Sequence, residues 1–122
     1  VPTFSVLRGL VEAAEQLGIP MTVGVGLAGD AFYGPRDPEQ SRWIKESGLV
    51  FVEMESDTLF IVGAARGWRT GALFASDGAP GVIKPEWGLA DFRRGEMNAI
   101  KIALHTMRKI AQADQANQVS GT

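Results

Sequence analysis

Apolar residues at Phe4, Leu7, Leu10, Val11, Ala14 and Leu17 recur at helical spacing, predicting an amphipathic helix over 4–17 with Thr3 or Ser5 as cap and Gly18 as stop. Pro20 forces an extended entry to the next stretch, where Val23, Val25 and Leu27 alternate with Thr22, Gly24 and Gly26. That period of two predicts a strand. Asp37 as cap, Pro38 at the first helical position and Gln40 closing a capping box predict a second helix, ended by Gly48. The continuous apolar run Leu49-Val50-Phe51-Val52 reads as a fully buried strand, and 58–65 as a buried helix closed by Gly67. Residues 70–76 read as a third strand ending at Asp77. The Gly- and Pro-rich stretch 78–88 reads as an irregular loop of a length that is usually functional, such as a lid. Met97, Ile100, Ala103, Leu104, Met107 and Ile110 make one stripe of a long last helix over about 90–113. The polar tail 114–122 is expected to fray.

This order of helices and strands implies an α/β fold with a mainly parallel sheet and helices on both faces. Right-handed crossovers would bring the strand ends to one rim, carrying Gly29 to Tyr33, the Glu53-Met54-Glu55 turn, and Ser76 with Asp77. A chain of 122 residues, 45% hydrophobic and 21% charged, has the composition of one ordinary globular domain. A net charge of −2 gives no footprint for nucleic acid or an anionic membrane. No apolar run approaches the roughly 20 residues of a membrane span. The absence of cysteine removes thiolate chemistry and disulfides, and a single histidine, His105, removes multi-histidine metal sites. The chain opens on Val1-Pro2 without methionine, so either residue 1 is not the natural start or the terminus is processed.

Glu53 and Glu55 are the residues whose position needs a reason, because they follow a buried apolar run at the carboxyl end of a strand. Either one is salt-bridged to Arg42, Arg66 or Arg69, or a carboxylate there accepts both hydrogens of a vicinal diol, as on a sugar. Asp77 is either a turn residue or a general acid whose pKa burial must raise. Phe32 and Tyr33 are either core residues or a flat face for a heterocycle. Gly24-Val-Gly26-Leu-Ala-Gly29 matches a dinucleotide fingerprint in letters only, since no helix can begin within Asp-Ala-Phe-Tyr-Gly-Pro. Those glycines instead admit close packing or a close substrate. His105, beside the apolar stripe, is assigned no chemistry.

Taken together, Gly29-Asp30-Ala31-Phe32-Tyr33, Val52-Glu53-Met54-Glu55-Ser56 with Thr58-Leu59-Phe60, Gly67-Trp68-Arg69-Thr70-Gly71, and Ser76-Asp77 resemble the nucleoside phosphorylase family. That family holds uridine phosphorylase, hexameric purine nucleoside phosphorylase and the methylthioadenosine nucleosidases. The Met-Glu-Ser and Gly-x-Arg-x-Gly details are more like uridine phosphorylase, and Ser76-Asp77 more like the purine and nucleosidase branches. The resemblance implies a three-layer αβα fold with a mainly parallel or mixed sheet, of which residues 1–113 form only the carboxyl-terminal half. It implies that Met54 and Glu55 hold the ribose with Glu53 close by, that Phe32 packs on base or sugar, and that Asp77 protonates or hydrogen-bonds the leaving base. The expected reaction is reversible phosphorolysis of a ribonucleoside to base and ribose 1-phosphate. No cofactor is implied beyond inorganic phosphate as co-substrate. A missing amino-terminal segment or a partner chain is expected, as are a dimer or hexamer and a cytoplasmic setting. The competing expectations are a hydrolytic nucleosidase of the same fold and a non-catalytic nucleoside-binding or interaction fragment.

Overall fold

The computed structural model describes residues 1–30, 37–78 and 88–120, and the chain divides into two compact units. The first comprises Thr22–Thr70, with Val1 assigned to it; the second comprises Pro2–Met21 and Gly71–Thr122. The elements are α1 (Phe4–Leu17), β1 (Gly26–Ala28), α2 (Pro38–Glu46), β2 (Phe51–Glu53), α3 (Ser56–Ala65) and α4 (Gly88–Ser120). No helix among the described residues is long and apolar enough to cross a membrane.

In the first unit β1 and β2 pair in parallel, Gly26 opposite Phe51, Leu27 opposite Val52 and Ala28 opposite Glu53. Val50 N–H to Val25 O (3.0 Å) and Gly29 N–H to Glu53 O (2.8 Å) extend the ladder beyond each end. The glycines of the first strand make this pairing possible. A Cβ on Gly24 would lie 2.6 Å from a Val50 methyl, and one on Gly26 would overlap the Phe51 ring. Close packing is therefore the use to which the Gly-x-Gly letters are put. Asp37 caps α2 through its side chain, which accepts from Glu39 N–H at 2.9 Å, and Pro38 occupies the first turn where no N–H is needed. Gly67, at φ 67°, follows the end of α3 in the left-handed region that favours glycine.

Two expectations fail here. The run 49–52 is not fully buried: Val50 and Val52 are 47% and 49% exposed, because the described sheet has two strands and leaves faces uncovered. Nor is α3 a buried helix, since Gly63 is its one buried residue and Ile61 is 69% exposed.

The second unit is built on α1 against α4. Leu10, Ala13, Ala14 and Ile102 form its core, and Val6, Ile19, Met21 and Leu73 pack around them. The helices approach closely because Gly9 faces Thr106: a Cβ on Gly9 would stand 3.0 Å from the Thr106 methyl. Thr106 is buried and its hydroxyl bridges the carbonyls of Gly9 (3.2 Å) and Ile102 (2.9 Å), so its polar atom is satisfied. His105 Nε2 (3.2 Å) and Lys109 Nζ (2.7 Å) both meet Gln16 Oε1, tying the same two helices at their margin.

Three further differences belong to this unit. Residues 70–76, expected as a third strand, form none; from Gly71 on, the stretch packs on α1, where a Cβ on Gly71 would lie 2.7 Å from Val6 and Leu73 joins the core. The α4 stripe Met97, Ile100, Leu104 and Met107 is 49–65% exposed, while Ile102 and Thr106 are the residues that turn toward α1. At 100° per residue these two sets occupy nearly opposite faces. Finally, α4 continues to Ser120, so residues 114–120 of the tail are helical.

Candidate functional site

The parallel pair brings the carboxyl ends of β1 and β2 side by side, and the rim they form carries Gly29 and Asp30 after one strand and Glu53, Met54 and Glu55 after the other. β2 ends at Glu53 and α3 begins at Ser56, so the acidic residues do lie on a strand-to-helix turn.

The two glutamates have different surroundings. Glu53 is half-buried and its carboxylate is turned onto the start of α3. Oε2 accepts from Glu55 N–H (2.8 Å) and Ser56 N–H (2.7 Å), and Oε1 accepts from the Ser56 hydroxyl (2.6 Å). A carboxylate here satisfies amide groups that a helix start leaves unpaired and sits at the positive end of the helix dipole. Desolvation is the largest single influence on Glu53 and pushes its pKa up. The Ser56 hydroxyl and the Glu55 and Ser56 amides together outweigh it and hold the carboxyl below its ordinary range. Glu55 is exposed, and its Oε2 accepts from Met54 N–H at 3.2 Å. Met54 beside it is 39% exposed. Asp57, in the first turn of α3, is occupied locally by Thr58, whose N–H reaches it at 2.6 Å.

The salt-bridge alternative finds no support at two of its three arginines. Arg42 pairs with Glu46 at 3.9 Å, and Arg66 lies 5.1 Å over the Trp68 ring. Asp77 belongs to the second unit and is exposed among the described residues. Phe32 and Tyr33 lie outside the described residues, as does most of the expected lid. Structure thus brings together Glu53, Met54 and Glu55 with Gly29 and Asp30. It adds Ser56, which sequence reading used only as part of a motif; a hydroxyl three residues after an acid at a helix start was the available signal.

Such a rim can present the exposed carboxylate of Glu55 and the thioether of Met54 to a ligand while the Glu53 carboxylate braces the backbone beside them. The phosphorylase superfamily model matches residues 1–110. A purine nucleoside phosphorylase from Plasmodium vivax (strain Salvador I) is 30% identical over 118 residues, covering 92% of this chain and 46% of that protein. A uridine phosphorylase from Treponema pallidum (strain Nichols) is 31% identical over 126 residues, covering 93% and 48% respectively. A guanosine phosphorylase from Halorubrum lacusprofundi is 36% identical over 78 residues, covering 64% and 32%. The chain spans about half the length, or less, of these curated relatives. With a family model that covers nearly the whole chain and relatives aligned through the Glu53-Met54-Glu55 turn, the chain belongs to the phosphorylase superfamily.

Proposed function

We propose that this chain is the carboxyl-terminal half of a nucleoside phosphorylase-type pentosyltransferase, which reversibly cleaves a ribonucleoside with inorganic phosphate to give base and ribose 1-phosphate. The observation that carries the proposal is the exposed carboxylate of Glu55 beside Met54, at the carboxyl end of a parallel strand pair. Glu55 accepts hydrogen bonds from the ribose hydroxyls and Met54 packs against the sugar. Phe32 packs on base or sugar. As the C1′–N bond breaks, its electron pair passes to the base and a phosphate oxygen bonds C1′. In the transition state between these bonds the sugar carries positive charge and the base negative charge. Glu55 stabilises the first, and Asp77 protonates or hydrogen-bonds the second, with desolvation supplied by the bound base. Inorganic phosphate is the co-substrate and no other cofactor is needed.

The three-layer αβα fold is completed by an amino-terminal segment or a partner chain. Support comes from the half-length alignment and from the exposure of Val23, Val25, Val50 and Val52 around a two-stranded sheet. The full-length polypeptide, assayed on purine and pyrimidine ribonucleosides with and without phosphate, should form ribose 1-phosphate only when phosphate is present. Equal cleavage without phosphate would identify a hydrolase, and binding without turnover a non-catalytic protein. Glu55→Ala removes two charge-assisted hydrogen bonds of about 1.5–3 kcal/mol each and should lower kcat/KM by about 10²–10⁴-fold. The 122-residue chain alone should show no turnover.

A further inference from the structure

Glu53 and Glu55 stand two residues apart, yet only one of them has a carboxylate left for a ligand. Both oxygens of Glu53 are engaged, by Glu55 N–H, Ser56 N–H and the Ser56 hydroxyl, all within 2.8 Å. These occupy most of the roughly four positions at which a carboxylate accepts. The main chain of Glu53 is held as well, because its carbonyl accepts from Gly29 N–H at 2.8 Å and its residue pairs with Ala28 in the ladder. Glu53 therefore joins the end of β1 to the start of α3 through one residue. Glu55, between those anchors, has its backbone N–H fixed and its side chain exposed.

We infer that Glu53 is a positioning residue and not a ribose ligand: its carboxylate clamps the Glu55 and Ser56 backbone, so that the Glu55 carboxylate is held out at the rim in one orientation. The inference rests on the reading of Glu55 as the group that binds the sugar. It gives a definite role to Glu53, which the resemblance places only close to the ribose. A glutamine at 53 is close in shape, and its carbonyl can still take both backbone N–H groups while its amide donates to Ser56 Oγ. An aspartate keeps the charge but is one methylene too short to reach all three donors.

The test is made in the full-length polypeptide, reading nucleoside Kd by calorimetry, KM and kcat with phosphate, and amide hydrogen exchange at Glu55 and Ser56. Glu53→Gln should remain within about 10-fold of the parent in kcat/KM. Glu53→Asp should lose about 100-fold, the scale of an ångström's misplacement of a site group, with faster exchange at both amides. Ser56→Ala, which removes one of the three donors, should fall between them with a loss of about 10–50-fold. The inference is overturned if Gln is as damaging as Asp while exchange at Glu55 and Ser56 stays slow, since that pattern identifies a charge acting directly on the ligand. It is equally overturned if Asp leaves exchange and kcat/KM unchanged. Glu55→Ala separates this from the reading beneath it: unaltered nucleoside affinity there sinks the ribose assignment, whereas the exchange rates in the Glu53 variants report on the clamp alone.

Discussion

Leu10, Ala13, Ala14 and Ile102 are each 5% exposed or less, and all four belong to the unit made of Pro2–Met21 and Gly71–Thr122. In the unit Thr22–Thr70, Gly63 is the one buried residue among those described, while Val25 is 71% and Ile61 69% exposed. What fixes the backbone there is polar: a short parallel ladder, the Asp37 cap and the Glu53 clamp. Apolar packing contributes stability without direction, whereas charged hydrogen bonds also aim the group they hold. The candidate chemistry sits in the unit of the second kind, where the main chain around Glu55 is defined although little is buried.

The comparison is broken most directly by truncating one apolar side chain in each unit. Leu10→Ala should cost about 2–4 kcal/mol, because a nearly buried leucine leaves a cavity between α1 and α4. Ile61→Ala on the exposed face of α3 should cost less than about 1 kcal/mol. Urea midpoints followed by circular dichroism check both, and equal shifts would mean that α3 has a core of its own.

Thr106→Val sharpens the same contrast inside the packed unit. Shape is kept, but the Gly9 carbonyl loses its hydroxyl partner, at a cost of about 1–2 kcal/mol. Thr106→Ser keeps the hydroxyl and gives up a methyl against Gly9, so it should restore the hydrogen-bonding part only. A valine variant as stable as the parent would show that helix contact, and not this bridge, holds α1 to α4.

Helix ends were readable from sequence because their causes are local. Gly18 after α1, Asp37 before α2 with Pro38 at its first position, and Gly67 after α3 act within a turn of themselves, and the structure uses each as its spacing suggests. Burial was not readable in the same way. The run 49–52 and the stripe Met97, Ile100, Leu104 and Met107 are apolar enough to be covered, but pattern says nothing about whether the covering surface lies in this chain. The small residues Gly9 and Ala13 and the polar Thr106, which decide how α1 meets α4, carry almost no hydrophobic signal. Residues 114–120 were misjudged because polarity does not end a helix. Ala111, Gln112, Ala113 and Ala116 favour one, and no glycine or proline intervenes before Gly121. At the site the pair of acids was plain, but their division of labour was not, because residues 53 and 55 look alike in spacing and differ only in what α3 offers them.

That division also predicts the smallest effect, a dependence of stability on pH traceable to Glu53. Its folded-state pKa is lowered from an ordinary value of 4.5, since the Ser56 hydroxyl and the two amides prevail over desolvation. A carboxyl with a depressed pKa binds fewer protons folded than unfolded. Its contribution is therefore complete above the unfolded value and is lost as pH falls through the folded one. Stability of the parent should thus decline from about pH 4.5 downward more steeply than that of Glu53→Gln, which carries no titrating group at this position. Because Glu53 is only half-buried, solvent screening keeps the difference below that expected for Thr106→Val. Urea midpoints of both proteins between about pH 6 and pH 2, with exchange at Glu55 and Ser56 followed in parallel, make the measurement. Parallel curves would show that the clamp contributes no net stability on ionisation, and a parent that gains stability on acidification would reverse the sign of the argument.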